Sequence, residues 1–229
     1  MTNLTVEPIQ PPKEKSKKQK MLFYITMGLL AFVGGSLVGI LLLRVISTGS
    51  IRAPQEFYGF LLETPDVLGE FTLTDPNGEA VSLSDFHGKV SLVYYGYRHC
   101  PDVCPSTLSE LGNMMDVLGR KSDQVQVIMV SVDPERDTPE KLGEYVTYFH
   151  PDFIGLTGTQ EELTAATVPY GIFYEKSEGS EASGYLIDHS AGVLLFDRNG
   201  HLKLMFPFGI TGEDMASDVS YFLRPSLFR

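Results

Sequence analysis

The chain is short of thiols. Cys100 and Cys104 are its only cysteines, with three residues between them. The C-x-x-C spacing of thioredoxin-type chemistry is therefore absent. A structural disulfide, a redox couple and two ligands of one metal all remain open. The P-x-x-x-[ST]-x-x-C pattern expected of a peroxiredoxin is also missing, which weighs against a peroxidase. There are no internal repeats and no long low-complexity runs. Positive charge is scarce beyond the N-terminus. The total is −11; residues 1–20 carry +3 and residues 21–52 add two arginines, which leaves −16 for residues 53–229. Nucleic acid would repel so acidic a domain. The excess reads as a solvated, soluble surface.

The 23 residues Met21 to Leu43 lack charge altogether. At about 1.5 Å per residue they can cross a roughly 30 Å hydrocarbon core. A cleaved signal peptide has an apolar region of only about 7–15 residues, so a retained transmembrane helix over 21–43 is expected. Gly35 and Gly39 form a G-x-x-x-G pair, a weak helix-packing signal. Five lysines (Lys13, Lys15, Lys17, Lys18 and Lys20) precede the span, and only Arg44 and Arg52 follow it closely. This asymmetry puts the N-terminus in the cytoplasm and the rest outside. Residues 1–20 read as a disordered polar tail. They lack arginine and carry acids, unlike a mitochondrial presequence. The expected location is a bacterial inner membrane, crossed once, with the C-terminal domain in the periplasm. Residues 44–63 read as a linker and 64–229 as the folded domain.

Within that domain strands alternate with helices, which implies an α/β sheet. "FTLT" and "AVSL" flank Asn77-Gly78, and "VLLF" and "HLKLMF" flank Asn199-Gly200; both are hairpin signals. "KVSLVYYGY" and "QVQVIMVSVD" read as strands. Leu108, Leu111, Met115 and Leu118 mark one helix face. Thr138 and Pro139 mark a helix start, and Thr159 with Glu162 a capping box. Two edge hairpins around βα units make the pattern thioredoxin-like. Pro105 suits a first helical turn, which makes Cys104 the expected N-cap and the thiol of lowered pKa.

Four motifs then occur in order: "YGYRHCPDVCPSTLSEL", "VSVDPERDTPEKL", "GLTGTQEEL" and "YLIDHSAGVLLFDRNG". Together they resemble the Sco/SenC family of copper proteins, across nearly all of residues 60–229. In thioredoxin-like folds the loop entering the final hairpin lies beside the cysteine motif. A cis-proline usually stands there; here "DHS" takes its place, which brings His189 to Cys100 and Cys104. Two thiolates and an imidazole suit Cu(I) and Cu(II). A closed zinc site wants four ligands and would need to recruit His99 or Asp133. Those two residues are the candidates for support around the site. Asp133 could equally cap the turn at Pro134. His87, His150 and His201 read as solvated or structural, and Asp188 as pointing away from the site.

The resemblance implies a metallochaperone that delivers copper to the CuA site on cytochrome c oxidase subunit II. Cys100, Cys104 and His189 would then be its ligands, loaded by an upstream copper donor. It equally admits a thiol–disulfide oxidoreductase that reduces the partner's cysteines, with Cys100 and Cys104 as the redox pair. A redox enzyme does not need His189, whereas a copper site does. A purely structural disulfide would close a loop of about five residues and contribute only about 2 kcal/mol. The Gly/Ser/Glu-rich segment before His189 reads as a mobile surface loop.

Overall fold

The computed structural model describes residues 17–47, 56–62, 70–179 and 184–225. The chain divides into two compact units, Met1–Gln55 and Glu56–Arg229. In the first, α1 spans Lys17–Ser47. Its segment Lys17–Leu41 has a mean hydropathy of 2.0 and is long and apolar enough to cross a membrane. Its apolar side chains are exposed all round, with Leu30 at 71% and Phe32 at 77%. A helix apolar on every face is suited to lipid rather than to a soluble surface. The helix overruns the charge-free stretch at both ends, because lysine, glutamine and arginine are good helix formers. Residues 1–16 of the expected tail lie outside the described residues.

The second unit begins with β1 (Phe60–Leu61), β2 (Thr72–Thr74), β3 (Ala80–Ser82) and β4 (Val90–Gly96). It continues through α2 (Val103–Leu118), β5 (Val125–Ser131), α3 (Pro139–Thr147), β6 (Ile154–Leu156) and α4 (Gln160–Thr167). It ends with β7 (Tyr174–Glu178), β8 (Tyr185–His189), β9 (Val193–Phe196), β10 (Leu202–Phe206) and α5 (Gly212–Phe222). The main sheet has the order β1-β10-β9-β4-β5-β6, with β4, β5 and β6 parallel and β9, β10 and β1 antiparallel. All seven residues of β4 and of β5 are buried. This explains their continuous apolar runs, since strands covered on both faces have no polar side to alternate with.

The turn chemistry follows the sequence. Gly78 and Gly200 take φ of +82° and +79°. Each follows an asparagine and an aspartate that orders the turn. Asp75 Oδ1 accepts from the amides of Asn77 and Glu79, and Asp197 Oδ1 from those of Asn199 and His201. Thr159 and Glu162 form the expected capping box at α4. Thr138 is the N-cap of α3 with Pro139 after it, although its side chain makes no cap bond.

Three expectations need correction. The β2–β3 hairpin is not an edge of the main sheet but a separate two-stranded sheet, tied by a bridge from Thr74 to Thr157. The segment before His189 is no loop: β7 and β8 form an antiparallel ribbon. Its serine, glycine and glutamate content hid the strands, because a ribbon outside the main sheet has exposed faces; residues 180–183 at its tip lie outside the described residues. Finally, the folded unit starts before residue 64, inside the expected linker. The two residues of β1 are too few to show a period, and residues 48–55 and 63 of that linker lie outside the described residues.

What holds this entry segment is a buried carboxylate. Asp218 on α5 is fully buried, and its Oδ2 accepts from the amides of Tyr58 at 2.8 Å and Gly59 at 2.9 Å. Gly59 must be glycine, since a Cβ there would stand 2.8 Å from the Phe206 ring. Burial pushes the Asp218 carboxyl above its ordinary range, against those two bonds. Asp218→Ala leaves two amides without an acceptor. We expect it to lower stability by about 2–4 kcal/mol, read as a shift in urea-unfolding midpoint at unchanged slope.

Candidate metal centre

The site is built where β4 ends. Gly96 closes the strand, the chain turns through Tyr97–Asp102, and α2 begins at Val103. The N-cap is Asp102, which makes Cys104 the second residue of the helix rather than its cap. Cys104 is fully buried and Cys100 is half-buried. The Cys104 sulfur lies tight against the strand end: a Cβ on Gly96 would stand 2.9 Å from it and 2.8 Å from the Tyr94 ring.

The two thiols differ in the opposite sense to the sequence expectation. The Cys104 amide, in the first turn of α2, donates to Cys100 Sγ at 3.4 Å. The free N–H groups of the helix thus serve the preceding cysteine. Cys100 is held down to about 3, chiefly by a hydrogen bond from the Cys104 thiol, with the backbone amides of Asp102 and Cys104 adding to it against burial. Cys104 is pushed up, first by sharing that proton with Cys100 and then by burial. The metal-free pair therefore holds one thiolate, on Cys100, and one thiol, on Cys104.

His189, the last residue of β8, completes the group. The ligand atoms of Cys100, Cys104 and His189 all lie within 4.8 Å of one another. His189 Nε2 is 3.3 Å from Cys104 Sγ. Its Nδ1 is 3.1 Å from the Ser190 carbonyl oxygen. A carbonyl only accepts, so Nδ1 carries the proton and Nε2 offers its lone pair to the site. The rings of Tyr94 and Tyr97 meet the imidazole edge-on, at centroid distances of 6.1 and 5.8 Å.

Side-chain bonds fix β8, because this strand does not pair with the main sheet. The Ile187 amide donates to Tyr97 Oη at 3.2 Å. Tyr185 Oη donates to Asp133 Oδ1 at 2.6 Å. Arg136 donates to Asp133 Oδ2 and, at 2.9 Å, to the Tyr185 carbonyl. Its guanidinium also lies 3.7 Å from the centre of the Tyr185 ring. Asp133 thus spends both oxygens on Tyr185 and Arg136, and it touches the site through the strand that carries His189.

His99 turns elsewhere. Its Nδ1 lies 3.7 Å from Asp137 Oδ1. His99, Asp133 and Asp137 do bring their donor atoms within 4.8 Å of one another. Yet Arg98 already binds Asp137 at 3.1 Å, and Arg136 binds Asp133. Two guanidinium charges at the carboxylates oppose a cation there. His150 caps its own turn by accepting from the Asp152 amide, and Asp188 is exposed. The sequence reading missed Tyr94, Gly96, Tyr97 and Arg136. The run "YYGY" carried the signal for the first three: buried tyrosines that need partners for their hydroxyls, and a glycine between them where another group comes close.

Two sulfurs and an imidazole nitrogen make a soft donor set. Three protein donors fall short of the closed four of structural zinc. The half-exposed Cys100 leaves one side of the set open to a partner. This is a thioredoxin-like α/β domain whose dithiol is completed by an imidazole from the ribbon before the last hairpin.

Comparison with known proteins gives the same class a family. The SCO1/SenC family model matches residues 61–224. A SCO2-like protein of Rickettsia prowazekii is 36% identical over 148 residues, covering 64% of this chain and 72% of that protein. Among solved structures, Bradyrhizobium japonicum ScoI with copper bound is 37% identical with a TM-score of 0.63, covering 68% of this chain and 99% of that one. Apo Sco1 of Thermus thermophilus is 38% identical with a TM-score of 0.66, covering 74% and 98%. The chain belongs to the SCO1/SenC family.

The asymmetry of the thiols has a direct chemical readout. An ordinary thiol gains reactivity roughly tenfold per pH unit below its pKa, as the thiolate fraction grows. In the metal-free reduced protein, Cys100 should react with iodoacetamide at a rate nearly constant from pH 5 to 8. Cys104 should stay unlabelled until the domain unfolds. Peptide mass spectrometry of timed samples assigns the label.

Proposed function

We propose that the chain is a membrane-anchored copper metallochaperone that delivers copper to the CuA site on subunit II of cytochrome c oxidase. Cys100, Cys104 and His189 are its copper ligands. The observation that carries this reading is His189. Its Nε2 stands 3.3 Å from Cys104 Sγ with its lone pair turned to the site, on a ribbon that lies outside the main sheet. Thiol–disulfide exchange has no use for such a ligand. Solved relatives from Bradyrhizobium japonicum and Arabidopsis thaliana hold copper, at 37% and 34% identity. Family membership supports an oxidase partner, since a solved relative is described as a member of the Sco family of cytochrome c oxidase assembly proteins; an upstream copper donor is part of the same reading.

Delivery follows from the unequal exposure of the ligands. Cys104 is fully buried, whereas Cys100 and His189 are half-buried and reachable. A partner's thiolate can replace Cys100 first while Cys104 still holds the cargo, so copper moves by stepwise ligand exchange without passing through water. The α1 helix keeps the domain in the plane of a membrane-bound acceptor, which raises the effective concentration of each for the other. The five lysines before residue 21, against only Arg44 and Arg52 soon after the charge-free stretch, support a domain on the periplasmic side of a bacterial inner membrane.

A second reading has its own support. A Cys100 thiolate beside a Cys104 thiol is the arrangement of a dithiol reductant. Cys100 would attack a partner disulfide, and Cys104 would then resolve the mixed disulfide. That reading makes the chain a thiol–disulfide oxidoreductase for the same partner.

Copper titration of the full chain in detergent separates the two, with His189→Ala alongside. One tight copper per chain is expected, with a thiolate-to-Cu(II) absorption band. In His189→Ala that band should vanish, while Cu(I) stays bound through the two sulfurs at affinity lowered by about tenfold or more. No tight copper, or a variant indistinguishable from the wild type, overturns the chaperone and leaves the reductant.

A further inference from the structure

Three tyrosines stand at the end of β4, and two have an evident use for their hydroxyls. Tyr95 Oη donates to the Ala166 carbonyl at 2.7 Å. Tyr97 Oη accepts from the Ile187 amide. Tyr94 is different. It is fully buried, yet its hydroxyl has no hydrogen-bond partner among the described residues. A buried phenol left unpaired is destabilising, and phenylalanine would fill the same space without that cost.

The polar groups that act on this hydroxyl lie toward the metal centre. Its neighbours there are the Cys104 sulfur and the Thr107 hydroxyl. Thr107 spends its own proton on the Val103 carbonyl at 2.9 Å, so it can only accept. The Tyr94 ring also borders the Cys104 sulfur across Gly96 and meets the His189 ring edge-on. One side chain thus adjoins two of the three ligands. A thiol sulfur is a weak acceptor; a metal-bound thiolate is a strong one.

We propose that Tyr94 is a positioning residue whose O–H is held in reserve for the Cys104 sulfur and donates to it once that sulfur is bound to copper. This rests on the copper reading above. The hydrogen bond would draw charge from the sulfur, weaken its donation to the metal and favour Cu(I) over Cu(II). Hydrogen bonding around a cysteine ligand tunes copper sites in this way. It would also explain why a buried strand keeps a hydroxyl that the metal-free fold does not use.

Tyr94→Phe in the full chain tests this, with Tyr95→Phe as the control. The expected Tyr94→Phe protein binds one copper per chain, as the wild type does. Its thiolate-to-Cu(II) band moves to longer wavelength, and the midpoint potential of its bound copper falls. Its metal-free melting temperature is no lower than the wild type's. Tyr95→Phe, which loses a made hydrogen bond, melts lower but keeps the wild-type band and potential. A Tyr94→Phe protein with wild-type band and potential overturns the proposal while the copper reading stands. A metal-free Tyr94→Phe protein that melts as low as Tyr95→Phe also overturns it, because the hydroxyl would already be in use. A wild-type chain that binds no copper overturns both readings.

Discussion

The centre depends on one close approach. The Cys104 sulfur occupies the space that a side chain on Gly96 would need. Only glycine lets the first turn of α2 come so near the end of β4. From that contact follow the burial of Cys104, the turn that returns Cys100 above the helix amides, and the pocket into which His189 is brought. The central strands make the contact rigid. β4 pairs with β5 as far as Gly96, opposite Ser131, and with β9 as far as Tyr94, so Gly96 is held by one ladder directly and by a second that ends two residues before it. The adjacent amide of Val132 bonds the Gly96 carbonyl at 2.9 Å, which ties the loop after β5 to the same point.

The chemistry of the site comes from unequal treatment of two identical side chains. Both cysteines stand near the start of the same helix. The inner one is dry and keeps its proton; the outer one receives the helix amides and sheds it. Such a pair can grip a soft ion with the buried sulfur and expose the other to exchange. The imidazole enters from a ribbon supported by Tyr97, Asp133, Tyr185 and Arg136 rather than by the main sheet. The three ligands therefore rest on two separately supported pieces of backbone.

Much of this was legible in the sequence, and the reasons are local. Asn-Gly after an ordering aspartate fixed both hairpins, and Thr159 with Glu162 fixed the start of α4. The buried strands showed as unbroken apolar runs. His189 was legible because the thioredoxin-like order of elements brings the entry to the last hairpin beside the cysteines. The thiolate was misplaced because Pro105 signals a helix start only to within a residue or two, and a two-residue shift moves the free amides from one sulfur to the other. The β7–β8 ribbon was misread because its strands are mostly exposed or half-buried, with Ile187 alone buried, and so lack the alternation that marks a strand. Asp133 was found near the right place with its contacts unknown, since a tie to Tyr185 spans 52 positions and leaves no local pattern.

Asp218 adds a mechanical property to this chemical one. The chain enters the domain at Glu56, and within three residues its amides are gripped by a carboxylate on the last helix. A tug on the polypeptide ahead of that point is stopped by α5 and by the short β1 edge, like a cable held by a strain relief at its socket. β1 and β4 are separated in the sheet by β10 and β9. A pull on the chain before Glu56 would thus be absorbed two strands away from the sulfurs, and the ligand cradle would keep its shape.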